Sequence, residues 1–305
     1  MTFFLLRRFV HGVIVLWAVA TFTFILLRLA PGGPFDRERQ LPPEVLANIE
    51  AKYHLDEPLP RQYFLYLAGI LRGDLGPSYK YIDRRVNDII SETLPTSALL
   101  GALALVFAVL MAFPAGIAAA YYRGSMVDRG AMFISTLGIS VPHFILGALL
   151  IWSIALQLGW LQAGRWDQWS SVILPSITLG AAPAAYLAAL LRSSVIETLG
   201  EEFISAARAK GLKESVVVLK HALAHSLIPV LTVMGPLTAA LLTGSFVVEY
   251  VFAIPGMGRF FITAVTDRDY PLVMGVTLVY TALLFLANVV VDMFYGLIDP
   301  RVRTE

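Results

Sequence analysis

The chain has 305 residues, of which 57% are hydrophobic and 15% charged, and its formal net charge is +1. A soluble protein of this length needs far more charge to cover its surface, while a net charge of +1 says nothing about nucleic acid. There is no cysteine, which excludes disulfides and thiolate metal sites.

Six intervals contain no Asp, Glu, Lys or Arg: 9–27, 93–122, 130–164, 168–191, 226–248 and 270–291. A helix needs about 20 apolar residues to cross the hydrocarbon core. A single Lys or Arg at its midplane costs about 2.5–3.5 kcal/mol. Six membrane helices are therefore expected, and an even number puts both termini on one side. The runs are continuous rather than short and alternating, which excludes a barrel. The expected fold class is an all-α integral membrane protein.

In chain order, residues 1–29 combine a short N-terminus with the first span. Arg7-Arg8, an apolar run and Ala18-Val19-Ala20 imitate a signal peptide, but the apolar run continues to Leu29, so an uncleaved span is expected. Pro31, Gly32, Gly33 and Pro34 end it. Residues 30–93 form the only sizeable part between spans, a lobe with two short helices at 43–53 and 58–72 and a turn from Gly73 to Pro77. A brace around the mouth of a path is its expected role. Four more spans are expected at about 98–121, 133–158, 172–191 and 227–251, with Pro114, Pro142, Pro175 and Pro183 interrupting or bounding them, and a last one at 272–297. Residues 94–293 make the main membrane domain and 298–305 a short tail. Trp160, Trp166 and Trp169 read as an interfacial belt.

The longest polar interval of the second half runs from Arg192 to Pro229. Val195, Ile196, Leu199 and Phe203 recur at helical spacing before Gly211, and Leu212, Val216, Leu219 and Leu223 after it. Arg208 and Lys210 in a last turn, then glycine, form a helix stop, because glycine adopts left-handed φ at no steric cost. The expectation is a helical hairpin set between two spans. Span five holds Thr232, Gly235, Thr238, Thr243, Gly244 and Ser245, small residues that suit close packing and a hydroxyl-lined path equally.

Basic residues orient the chain. With the N-terminus inside, inner segments hold Arg7, Arg8, Arg123, Arg129, Arg192, Arg208, Lys210, Lys213, Lys220, Arg301 and Arg303; the short outer loops hold Arg165, Arg259 and Arg268. Both termini and the hairpin are thus expected in the cytoplasm, and 30–93 outside.

The stretch Ser205-Ala206-Ala207-Arg208-Ala209-Lys210-Gly211-Leu212, with His221-Ala222-Leu223 and Pro229, resembles the EAA loop of ABC importer permeases, in the variant of the peptide and nickel permeases. The start, TFTFILLRLAPGGPF, resembles the same family, and so does Glu249 with Pro255-Gly256-Met257-Gly258 and Arg268-Asp269-Tyr270-Pro271. The segment from Pro42 to Pro58 is most like the oligopeptide permeases. The resemblance implies the type I importer permease fold. It also implies docking of Glu201, Glu202, Phe203, Ser205, Ala206, Ala207, Arg208, Lys210, Gly211 and Leu212 onto a cytoplasmic ATPase. Thr232, Thr238, Thr243, Ser245, Glu249, Pro255, Gly256, Gly258, Arg268 and Asp269 are its candidates for the path and outer gate. The implied partners are a second homologous permease, two ATP-binding subunits that hold ATP and magnesium, an external peptide-binding protein and membrane lipid, in a bacterial cytoplasmic membrane. No cofactor is expected on this chain.

No Gly-Lys dipeptide occurs, so there is no P-loop, and no Ser, His and acid arrangement suggests a nucleophile. His221 and His225, at i and i+4, have chelating spacing but read as a solvated or partner face beside Lys220. Catalysis by the chain alone is not expected. Two other classes compete with the importer subunit. An ion-coupled transporter would place charged groups at the midplane, which these spans lack; a membrane scaffold would need no hydroxyl-bearing span. Within the importer class, dipeptides, glutathione and nickel are alternatives to oligopeptides.

Overall fold

The computed structural model describes residues 2–35, 51, 53–164, 166–242 and 244–298. The regular elements among the described residues are helices, with one isolated bridge between Pro77 and Arg85. The expected helix at 43–53 apart from residues 51 and 53, Thr243 and the tail beyond 298 lie outside them. Five helices are long and apolar enough to cross a membrane, or six with a bent pair counted as one crossing.

The chain divides into two compact units. One comprises residues 1–97 and 255–285, the other residues 98–254 and 286–305. In the first, α1 (Thr2–Leu29), α2 (Leu59–Leu71), the start of α3 (Val86–Tyr121), α11 (Met257–Asp267) and most of α12 (Tyr270–Ile298) enclose a core. That core includes Val86, Ile89, Ile90, Met257, Leu272 and Val276. Helix α3 begins well before the span expected at 98, because Val86, Ile89 and Ile90 recur at helical spacing and are buried. A Cβ on Gly12 would sit 2.5 Å from the Phe285 ring, and one on Gly275 2.5 Å from Val86, so both glycines permit close helix contact.

The second unit contains the rest of α3, then α4 (Met126–Ser140), α5 (His143–Leu150), a π-helical continuation at Ile151–Gln157, and α6 (Trp169–Thr198). It continues with α7 (Glu202–Ala209), α8 (Glu214–Val216), a π-helical turn at Val217–Ala222, α9 (Leu223–Leu242) and α10 (Phe246–Val251). The best-buried span is α6: Leu174, Leu187, Leu191 and Val195 are fully covered. Gly180 and Gly116 approach the carbonyls of Ala104 and Ala188 so closely that a Cβ would lie 2.5 and 2.8 Å away. Close backbone packing replaces the hydrophobic drive that lipid cannot supply.

Two spans depart from expectation. The helix expected at 133–158 is broken and bends by 107°. Val141 is extended, at φ −83° and ψ 119°. The residue before a proline is pushed out of the helical region, and Pro142 follows. The helix expected at 227–251 stops at Leu242; Gly244 has φ +79°, and Ser245 restarts the chain as the cap of α10, accepting from Val248 N at 3.4 Å.

Candidate docking hairpin

Helix α7 ends where the sequence places a stop. Arg208 occupies its last turn, and Gly211 has φ +76° with nothing within 4 Å of a built Cβ. Glycine is therefore needed there for backbone conformation alone, not for space. The hairpin folds on its own small core of Ile204, Ala207, Val217 and Ala222, with Leu199 against it. The Arg208 guanidinium closes the turn over the Glu214 carboxylate, Nε to Oε2 at 3.1 Å and Nη2 to Oε1 at 2.7 Å.

The recurring apolar residues are only partly the buried ones: Val195 is covered, but others are not. Phe203, Leu212 and Leu219 are 41%, 39% and 56% exposed, while Val217 and Val218 are covered. A π-helical turn at 217–222 turns Val217 and Val218 inward and leaves Leu219 outside. Glu201, Glu202, Ser205, Ala206, Lys210 and Gly211 join Phe203, Arg208 and Leu212 on the exposed surface. Ala207, expected beside Ala206 on the docking face, is turned inward at 8% exposure. The ring of His225 packs on Phe203, centroids 4.8 Å apart.

Two ties hold the hairpin's legs, and neither has a sequence pattern. Arg192 donates to Asp128 from Nε at 2.5 Å and Nη2 at 2.8 Å, and Gly124 N also donates to that carboxylate at 2.9 Å. Asp128 is 4% exposed, so this is a covered bidentate pair between α4 and α6. Ser226 Oγ, also covered, lies 2.8 Å from Ala222 O, 2.9 Å from Thr198 Oγ1 and 3.2 Å from Ser194 O, joining α9 to α6.

The remaining candidate residues fall into the two units. In the second, Thr232 is exposed and donates to Ile228 O at 3.0 Å, Thr238 is half-buried, Ser245 is the cap of α10, and Glu249 is fully buried in that helix's first turn. In the first, Pro255 is exposed while Gly256 and Gly258 are buried at the start of α11, where Met257 N donates to Ser97 Oγ at 2.8 Å. Arg268 closes α11 in the left-handed region at φ +59° and donates to Gly33 O at 3.2 Å. Asp269 is fully buried: Ser78 Oγ donates to its Oδ2, and Tyr79 N and Leu272 N donate to Oδ1 at 3.1 and 3.3 Å. It caps α12 and anchors the loop after α2 in the same act.

A membrane-spanning bundle with an exposed helical hairpin between two of its long helices defines the class, an importer permease fold. An inward-facing methionine ABC transporter, MetNI, shares the fold with TM-score 0.56 at 17% identity, over 69% of this chain and 96% of that one. An amino acid ABC transporter solved with histidines gives 0.54 at 17%, over 68% and 93%. Residues 112–304 match the binding-protein-dependent transport system inner membrane component family, and 1–101 match its N-terminal region. The chain belongs to that family and is a multi-pass membrane protein. It is similar to the oligopeptide transport system permease protein OppB of Haemophilus influenzae, 46% identical over 302 residues, 98% of this chain and 99% of that one. OppB of Escherichia coli is 43% identical over 98% and 99%, and the dipeptide permease protein DppB of Bacillus subtilis 42% over 98% and 97%.

Proposed function

We propose that this chain is one of two membrane subunits of an ATP-driven importer of oligopeptides, and that the hairpin from Glu201 to Leu212 is its attachment to a separate ATPase. The observation that carries the reading is the hairpin's surface. Phe203, Leu212 and Leu219 stand exposed on a polar connection, apolar surface that a protein partner would cover. The chain has no P-loop of its own, so nucleotide energy must arrive through such a contact. The ATPases hold ATP and magnesium, and their closure moves the hairpin. The ties of Arg192 to Asp128 and of Ser226 to α6 pass that movement to the spans as rigid-body rocking. A second, homologous permease subunit encloses the path with it, and an external binding protein delivers peptide to it. The membrane is the bacterial cytoplasmic one, with hairpin and termini inside. Higher identity to oligopeptide than to dipeptide permease proteins supports the longer substrate.

Neighbouring alanines make the test. Ala206→Trp places an indole on the exposed face, so subunit abundance and melting temperature stay normal while ATPase co-purification and oligopeptide uptake are lost. Ala207→Trp overfills the hairpin core and destabilises the chain by about 1–3 kcal/mol. Full uptake with Ala206→Trp in place would reduce the hairpin to a connector.

A further inference from the structure

The second unit has two hydrophobic cores stacked along its helices. The near core, beside the hairpin, is built on Ala112, Leu187, Leu191, Val195 and Val230. The far core is built on Leu100, Leu174, Leu179, Leu241 and Phe252. Helices α3, α6 and α9 contribute to both, and Leu237 of α9 packs against each. The two arms of the bent span are divided between them. The π-helical continuation of α5 packs on the far core through Ile151, Ile154 and Ala155. Helix α4 is fixed to the near stretch of α6 by the Arg192–Asp128 pair and by Gly138, whose built Cβ lies 3.0 Å from Ala185 Cβ.

Backbone breaks collect where these cores meet. On α6, Pro183 lies between Leu179 and Leu187; on α9, Pro236 lies between Val230 and Leu241. The bend at Val141–Pro142 separates α4 from α5. All three lie at one level. Gly138 meets Ala181 O as well as Ala185, so the bend adjoins the turn of α6 that contains Pro183. Ser226 Oγ is bonded to Ser194 O; from that tie Pro236 is about 15 Å along α9, and Pro183 about 16 Å back along α6. Pro114, Pro175 and Pro229 fall within one core's stretch, and α3 crosses the junction without proline. A proline removes one rung of its helix's hydrogen-bond ladder, and helices bend there most easily. Packed cores resist deformation, so movement concentrates between them. His143, just past the bend, keeps Nε2 covered and without a partner among the described residues, a demand this conformation leaves unmet. We propose that the level of Pro142, Pro183 and Pro236 is a hinge, across which the near half, with α4 and the hairpin, swings against the far half. The hinge follows from packing; that an ATPase swings it rests on the docking role proposed above.

The test uses the purified full chain in nanodiscs, without ATPase. The chain has no cysteine, so pairs of introduced cysteines at exposed positions carry spin labels for distance measurement by electron paramagnetic resonance. Met126 with Leu156 spans the hinge, Met126 with Glu197 stays in the near half, and Leu156 with Tyr250 in the far half. The distance distribution across the hinge is about twice as broad as those within the halves. Pro183→Ala with Pro236→Ala restores both rungs, keeps the melting temperature at or above that of wild type, and narrows the distribution across the hinge alone. In cells that double variant lowers oligopeptide uptake about tenfold with ATPase co-purification unchanged. Equal breadth of the three distributions in wild type, no narrowing in the double variant, or full uptake by it overturns the hinge. Should the double variant not fold, the wild-type distributions and Pro183→Ala alone decide. Failure of docking is read separately, from Ala206→Trp, because the distances are taken without the ATPase.

Discussion

Two polar regions of this chain handle charge in opposite ways. Around Asp269, a carboxylate with no exposed surface gathers donors from Ser78, Tyr79 and Leu272, so two stretches of chain depend on one group. In the hairpin, the Arg208–Glu214 pair is bidentate but stands 43% and 47% exposed. A buried, fully bonded carboxylate fixes structure, because removing it strands its donors away from water. An exposed pair costs little to break and leaves its surface free for a partner. The contrast separates a region built to stay put from one built to be gripped.

Substitutions can break or sharpen that contrast. The largest effect is expected for Asp269→Ala, about 3 kcal/mol of lost stability from stranded donors and a lost helix cap, read as a large fall in the melting temperature of the detergent-purified chain. A shift no greater than that of an ordinary surface variant would show that water replaces the carboxylate. Next comes Gly211→Val, which forces a β-branched residue to φ +76° at about 1–3 kcal/mol. Gly211→Asn should be nearly silent, because asparagine tolerates the left-handed region and no neighbour crowds its Cβ. Equal losses from Val and Asn would mean that space, not φ, sets the requirement. The smallest effect is expected for Glu214→Ala, within about 0.5 kcal/mol of wild type by thermal melting. A larger loss would move the hairpin into the rigid class with Asp269.

The sequence makes the spans legible where one physical term dominates. Charge-free runs locate α1, α6 and α12, and Gly211 announces its own φ. Local rules failed where a distant or collective term intervened. The early start of α3 depends on Val86, Ile89 and Ile90 finding Met257 and Leu272. The hairpin's apolar repeat gave the helices but not their cover: Val195 is buried, while Phe203, Leu212 and Leu219 stand exposed. Asp128 with Arg192, and Ser78 with Asp269, are 64 and 191 residues apart, and nothing in either neighbourhood marks its partner. Asp269 was legible as a candidate only through the loop it shares with its family; its role as a cap required the fold.

The break at Pro142 says something about solvent rather than shape. Proline offers no N–H to the carbonyl of Gly138, and the chain leaves the helical region at Val141. Hydrocarbon cannot satisfy a released carbonyl, so irregular backbone at membrane depth persists only against protein or a water-filled cavity. The arm Met126–Ser140, 15 residues, reaches about 22 Å, short of the hydrocarbon thickness. The bend therefore carries a requirement: the carbonyl of Gly138 needs a donor from polypeptide or water, which lipid tails do not offer.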